Sequence, residues 1–486
     1  MKKILVAVSA IAVAAVMVAG LAGMFDTSAP SIHASSLAGI SGAGATGIQI
    51  QNLDASMSAT MVAEFYKQGS TGSPVPITIA GVPAGGAANL FLPLRDELSN
   101  GAYAAIVSAD RQIAAIARTD WFSSGGAAIY SNVLPSTDVA LPLAVIDYNT
   151  QTSLVSIQNT DTSQTATVEV KLFAAGQTDP VVTENYNINP GTSITLDLGK
   201  DSAFLGVPDN TPSGFLGSMA ITSATPVGVQ SFVDITSSAM AVYAFEGVPA
   251  ENASDTLYAP LIRRRFFNYD TGISVVNPNA NDVQVTAEYV GAIGACAGQN
   301  YTQGPETISG GSSFVFYQGP VPENGLPDDC VGSAVIKSTG GNVLAIVNDS
   351  LNFVEQSAAY NAVSADQGAT KVALPLARNQ HLDSLKATTG IQVMNISETD
   401  SANVEIQFAD ENGAPLQGCG APCSATAAPL GSVNFYPGAN NLNVMPAGTY
   451  GSAVVTSDQP VVVIVNDAST IGAMDSATYN GIKADL

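Results

Sequence analysis

TGIQVMN, from Thr389 to Asn395, is the clearest phrase in the chain, and it is written four times. TGIQIQN spans Thr46 to Asn52, SLVSIQN spans Ser153 to Asn159, and TGISVVN spans Thr271 to Asn277. The closing asparagines lie 107, 118 and 118 residues apart. A phrase returning at domain-sized intervals marks an internal repeat. Its alternation of apolar and polar residues is that of a strand buried on one side.

Other strands recur around it. A short proline phrase opens three repeats: ALPLA at Ala140 to Ala144, YAPLI at Tyr258 to Ile262, and ALPLA at Ala373 to Ala377. Proline cannot donate to a ladder, which suits an edge strand. The first repeat has no clear copy and offers only ASSLAG, from Ala34 to Gly39. After the asparagine comes a strictly alternating strand. Its apolar sets are Met61, Ala63, Phe65; Val168, Val170, Leu172; Val285, Ala287, Tyr289; and Val404, Ile406, Phe408. A variable stretch, a glycine turn with a further strand, and a hairpin-like pair follow. The pair is GSAVVTSDQPVVVIVNDAS (Gly451 to Ser469) in the last repeat, with turn-rich TSDQ at its centre and STGG and TSAT at the same place in two others. A final strand carries Tyr130, Tyr243, Tyr360 or Tyr479.

About seven short strands per repeat, with frequent turns and no amphipathic helix, predict an all-β chain of four tandem immunoglobulin-like β-sandwich domains. The expected boundaries are 1–34 for an N-terminal signal peptide or uncleaved anchor, then 35–135, 136–252, 253–366 and 367–486. A length of 486 residues suits several cores, and 46% hydrophobic residues are enough to fill them. The formal charge of −24 argues against nucleic acid as a partner, because binding its phosphates needs clustered Lys and Arg. The one basic cluster, Arg263-Arg264-Arg265, reads as a local surface or inter-domain contact.

Lys2 and Lys3 precede an uncharged run from Ile4 to Phe25, the pattern of an export signal. Small residues offer cleavage after Ala34 or after Ala22. The run is also long enough to span a bilayer, so an uncleaved anchor remains the alternative. Four cysteines suit an oxidising compartment. Position within the repeats pairs Cys296 with Cys330 and Cys419 with Cys423, and the spacing lacks the two CxxC halves of a zinc site.

The candidate chemistry is sparse. Asn52, Asn159, Asn277 and Asn395 read as turn residues, since asparagine tolerates positive φ and bonds its own backbone two residues on. Asp120, Asp234, Asp349 and Asp467 close the penultimate strand, and turn stabilisation is the expected role. Calcium is the cofactor they could bind at a domain junction, although no DxDxDG spacing occurs; no other cofactor is implied. His381, in the polar loop ARNQHLDS, is expected to be exposed, and Trp121 to be a packing residue. Neither a GxSxG elbow, an HExxH motif nor a phosphate loop is present, so no catalytic residue is assigned and no enzyme is expected.

At LPL, TGIxVxN, the VxVxF strand, GSAVVTS and VNDAS the chain resembles exported bacterial proteins built of tandem immunoglobulin-like repeats. These serve as surface-layer, sheath or filament components and as adhesins. The resemblance implies a non-enzymatic structural or adhesive protein of the cell surface, associating with itself or with other surface components. It touches the membrane only through the N-terminal segment, if that is kept. The alternative is a module binding glycan or protein through the variable loops of repeats 3 and 4. The open edge of repeat 1 invites a strand from another chain, with the tail after Tyr479 (NGIKADL) as one donor.

Overall fold

The computed structural model describes residues 10–15, 44–121, 126–131, 133–235, 241–319, 325–351, 356–381, 386–416, 423–437, 444–469 and 476–484. Most of the leader and Cys419 therefore lie outside the described residues. Nearly every element is an antiparallel strand, and the strands form four β-sandwiches. No helix of the described residues is long and apolar enough to cross a membrane.

Repeat 2 shows the plan. One sheet runs Pro180–Ile188, Ala166–Ala174, the first half of Phe215–Ile235, then the proline strand Ser136–Ile146. The other runs Ser193–Asp197, the phrase strand Gln151–Asn159, the second half of Phe215–Ile235, then the tyrosine strand Ala241–Glu246. With the two halves of the long run counted separately, each sandwich has eight main strands, one more than expected. The extra strand is Val75–Val82, Pro180–Ile188, Asn300–Ile308 or Ser424–Ala427, in the variable stretch. In repeat 2 it is exposed along most of its length, so it carries no apolar pattern for sequence reading to catch.

The hairpin-like pair is corrected. Phe215–Ile235 and Thr449–Ser469 are single 21-residue strands, and no pairing joins their two halves. The tetrads TSAT and TSDQ turn a corner, so one strand leaves the first sheet and enters the second. In repeats 1 and 3 the same run breaks at that corner, into Ala102–Ala109 with Ile113–Trp121 and Cys330–Thr339 with Leu344–Leu351.

The proline strands sit at one edge of the first sheet, each with a register shift around its proline. In repeat 3 the Tyr360 hydroxyl donates to the Leu261 carbonyl at 2.6 Å and accepts the Leu261 N–H at 3.1 Å. In repeat 4 Tyr479 does the same at Leu376, at 2.7 and 3.3 Å. In these two repeats the tyrosine satisfies the two backbone groups that the irregular ladder leaves over, whereas in repeat 2 the Tyr243 hydroxyl donates to Gln151 Oε1 at 2.8 Å. In repeat 1 the edge beside Ala102–Ala109 is taken by Ala10–Ala15, from the N-terminal segment. The tail of repeat 4 is already engaged, because Ile482 and Lys483 pair with Ala373 and Val372 of its own proline strand. That removes it as a free donor.

The four sandwiches close into a ring. Their tyrosine strands meet in the order Gly126–Ser131, Ala241–Glu246, Gln356–Asn361, Ser476–Asn480, and the last returns to the first. Each core takes in side chains from the next repeat. Leu154 and Phe232 of repeat 2 lie in the core of repeat 1, and Ile346 of repeat 3 lies in that of repeat 2. Ile464 of repeat 4 lies in the core of repeat 3, and Ile116 and Ile129 of repeat 1 lie in that of repeat 4. At the rim, the chain at the end of the alternating strand in repeats 1, 2 and 4 meets the next repeat's glycine turn. Tyr66 lies against Gly191, Phe173 against Gly311, and Asn412 with Gly413 against Gly86. Gly191 has φ 70°, and a β-carbon there would run into the Tyr66 ring.

Phe232 packs edge-on against both Trp121 (6.2 Å) and Tyr130 (5.6 Å) across the first seam. Phe232→Ala is expected to cost about 3–5 kcal/mol in denaturant unfolding. Trp121 is the only tryptophan, so its emission should shift red at the same denaturant concentration at which repeat 1 melts.

Candidate functional sites at the ring axis and between repeats

The recurrent asparagines are fully buried and do the same work in all four repeats. Asn277 Nδ2 donates to the carbonyls of Asn281 (2.8 Å) and Ile308 (2.9 Å), and its Oδ1 accepts the Asn279 N–H at 3.0 Å. Asn52, Asn159 and Asn395 repeat the pattern, each accepting the N–H two residues on. None has positive φ. The side chain fastens its own turn and the end of a strand about thirty residues away. Asn277→Ala leaves two buried carbonyls unmet and should cost about 1–3 kcal/mol. Asn277→Asp, which keeps the size but cannot donate, should cost a similar amount at neutral pH in the same unfolding titration.

The recurrent aspartates are corrected from turn residues to strand residues. All four lie inside strands, at Ile113–Trp121, Phe215–Ile235, Leu344–Leu351 and Thr449–Ser469. Asp349 is buried and ion-paired with Arg263, whose guanidinium also stacks 3.8 Å over the Tyr269 ring. Asp467 has no exposed surface; it receives Arg378 of its own repeat at 3.4 Å and Arg118 of repeat 1 at 2.6 Å. Arg118 also holds Asp120 at 2.6 Å. In repeat 2 the equivalent arginine position is Val145, and burial pushes the Asp234 carboxyl up. Carboxylates committed to guanidinium groups are a poor donor set for calcium. Among the described residues no group of three or more His, Cys, Asp or Glu side chains is placed to hold a metal ion.

The remaining expected residues fall as follows. Arg264 and Arg265 both reach Asp328, at 2.9 and 3.4 Å, so the arginine run is an ion-pair cluster within repeat 3. Cys296 and Cys330 form a disulfide with 5.4 Å between α-carbons. Cys423 is also disulfide-bonded, and its expected partner, Cys419, lies outside the described residues. His381 is not an exposed loop residue. It is buried, with its ring 4.8 Å from that of Tyr450, and burial together with Arg378 and Arg118 holds its pKa down at about 4. Trp121 is fully buried.

Sequence reading did not reveal the polar chain along the ring axis. At the end of the tyrosine strands, Glu246 Oε1 accepts the Ser131 N–H (2.5 Å) and hydroxyl (2.9 Å). Asn361 Nδ2 donates to Glu246 Oε2 at 3.3 Å, Asn361 N–H donates to Asn480 Oδ1 at 3.0 Å, and Asn480 Nδ2 donates to the Asn361 carbonyl at 2.8 Å. These positions lie 115, 115 and 119 residues apart, one per repeat, and that spacing was the signal available. A cleft of about 370 Å³ opens beside them, lined by all four repeats. A larger cleft of about 1060 Å³ lies between repeats 2 and 3, with Tyr148, Phe314 and Tyr317 beside Gln151, Asp270 and Asn348.

Burial raises the Glu246 carboxyl above its ordinary 4.5. Folding therefore favours the protonated form, and the linked stability is present below 4.5 and lost as pH rises through the folded-state value. Thermal unfolding of Glu246→Gln should show a flatter pH dependence above 4.5 than the parent chain. An unchanged slope would mean that the carboxyl is not the titrating group.

No family model matches the chain, and no curated protein matches it. Among solved structures it is similar to Thermotoga maritima 1070, at 19% identity over 24% of this chain and 95% of that one, with a TM-score of 0.20. It is similar to the Anabaena sensory rhodopsin transducer at 21% identity, over 20% of this chain and 92% of that one, with a TM-score of 0.16. A tetra-tandem repeat from the extending region of a large adhesion protein is 11% identical, over 91% and 96% of the two chains, with a TM-score of 0.11. Likenesses at these values carry no functional argument.

Proposed function

We propose that this chain is an exported, non-enzymatic protein of the bacterial surface, structural or adhesive in role, and that its working unit is the closed ring. Ring closure is the observation that carries the reading. Head-to-tail contacts between like units build filaments when they stay open and rings when they close. Here the contact is spent inside one chain, because repeat 4 meets repeat 1 through Ile116, Ile129 and the Arg118–Asp467 pair. The Cys296–Cys330 disulfide suits an oxidising compartment. The recurrent polar residues hold turns and seams, which fits a scaffold better than a reaction centre. Association with other copies or surface components then has to use faces other than the repeat-to-repeat seam.

Negative-stain images and solution scattering of the purified protein test this. Discrete compact particles are expected, with a radius of gyration near the roughly 23 Å of a compact chain of this length. Extended strings of four beads, or filaments growing head to tail, would overturn the ring as the working unit. Surface labelling of intact cells tests the location.

A second reading is ligand binding. It rests on the cleft between repeats 2 and 3, whose aromatic and amide lining and volume suit a small ligand. The variable loops expected to bind are not its main walls. Tyr317→Ala should abolish any glycan-array signal that the parent protein gives, while leaving unfolding unchanged; a signal that survives the substitution places binding elsewhere.

A further inference from the structure

Repeat 1 differs from the others at one edge. In repeats 2, 3 and 4 the first half of the long run pairs with a proline strand encoded just before the phrase strand. Those strands share one register. Leu141 faces Met219, Ala259 faces Ala334 and Leu374 faces Ala453; in each case the first residue immediately precedes the proline, and its partner is two residues past a glycine. Each proline strand also packs against the phrase and penultimate strands of the next repeat, so it helps make the seam.

In repeat 1 the equivalent partner is Tyr103, two residues past Gly101, and it faces Ala14. The pairing runs antiparallel from Ala10 opposite Val107 to Ala15 opposite Ala102. Direction and edge match the proline strands, while the ladder of residues 10–15 runs unbroken where theirs shifts at the proline. The linker from residue 16 to 43 is long enough to return the chain from that edge to the phrase strand at Ala45, since 28 residues reach up to about 90 Å. Leaving the edge empty would expose the ladder groups of Ala102–Ala109, and unpaired edges invite foreign strands.

We infer that residues 10–15 are the missing strand of repeat 1 and stay with the folded protein. The N-terminal segment is then a structural part of the ring rather than a leader lost at Ala22 or Ala34. This stands apart from the surface role proposed above, which survives if the strand is cleaved.

Intact-mass and N-terminal analysis of the native exported protein, with hydrogen exchange, tests the assignment. Residues 10–15 should be present in the folded protein, and the Ala102–Ala109 amides should be protected. Two full-length variants, Ala12→Pro and Val13→Pro, are compared with the parent. Alternate N–H groups of an edge strand donate to the ladder, so one of the two removes a donor. That variant should speed exchange in Ala102–Ala109 at least tenfold, with no change in Gly332–Lys337, the matching segment of repeat 3. Three results would overturn the inference. One is a native protein lacking residues 10–15 that is monomeric and equally protected there. Another is a native dimer lacking them whose protection vanishes on dilution, which would make a second copy the donor. The third is unaltered exchange in both proline variants.

Discussion

Each β-sandwich in this chain has a gap in its core that only a neighbouring repeat can fill, and the gap in the fourth is filled by the first. Phe232 enters beside Trp121 and Tyr130, Ile346 enters the second core, Ile464 the third, and Ile116 with Ile129 the fourth. Apolar surface removed from water contributes about 25 cal/mol per Å², so a repeat standing alone would forfeit that burial at both of its seams. The fold is therefore better described as one cooperative ring than as four independent beads, and the tyrosine strands at its centre are where the repeats depend on each other.

Apolar contact alone does not set the closing seam apart, because its inserts are isoleucines like those of the second and third seams. The charged groups are not alike. Arg118 stands two residues before its aspartate, where the other repeats have Phe232, Val347 and Val465. It reaches across the closing seam to Asp467, which its own Arg378 also approaches. A buried ion pair contributes little net stability, but a partner missing from one costs several kcal/mol. Charge thus marks the first-to-fourth seam, while side-chain size fills it.

Much of this was legible in the sequence. The phrase ending in Asn52, Asn159, Asn277 and Asn395 gave the repeat count and strand register, because a buried asparagine that caps a turn must recur wherever the turn does. Alternation at Val168, Val170 and Leu172 gave the buried face. The corner at TSAT was misread as a reversal, since a bend and a tight turn draw on the same small polar residues. His381 was misread because a polar neighbourhood in sequence says nothing of the Tyr450 ring that covers it. Ring closure was out of reach, as it depends on contacts between residues more than three hundred positions apart. The axial set of Ser131, Glu246, Asn361 and Asn480 was hidden by its mixed chemistry, although its spacing was regular.

Closure of repeat 4 on repeat 1 is the central claim, and a double-mutant cycle across that seam tests it most directly. Unfolding free energies would be measured for Arg118→Met, Asp467→Asn and the pair. The ring predicts that the double variant loses at least about 1 kcal/mol less than the two single losses together. Losses that add to within about 0.5 kcal/mol would contradict it, because the two side chains would then not meet.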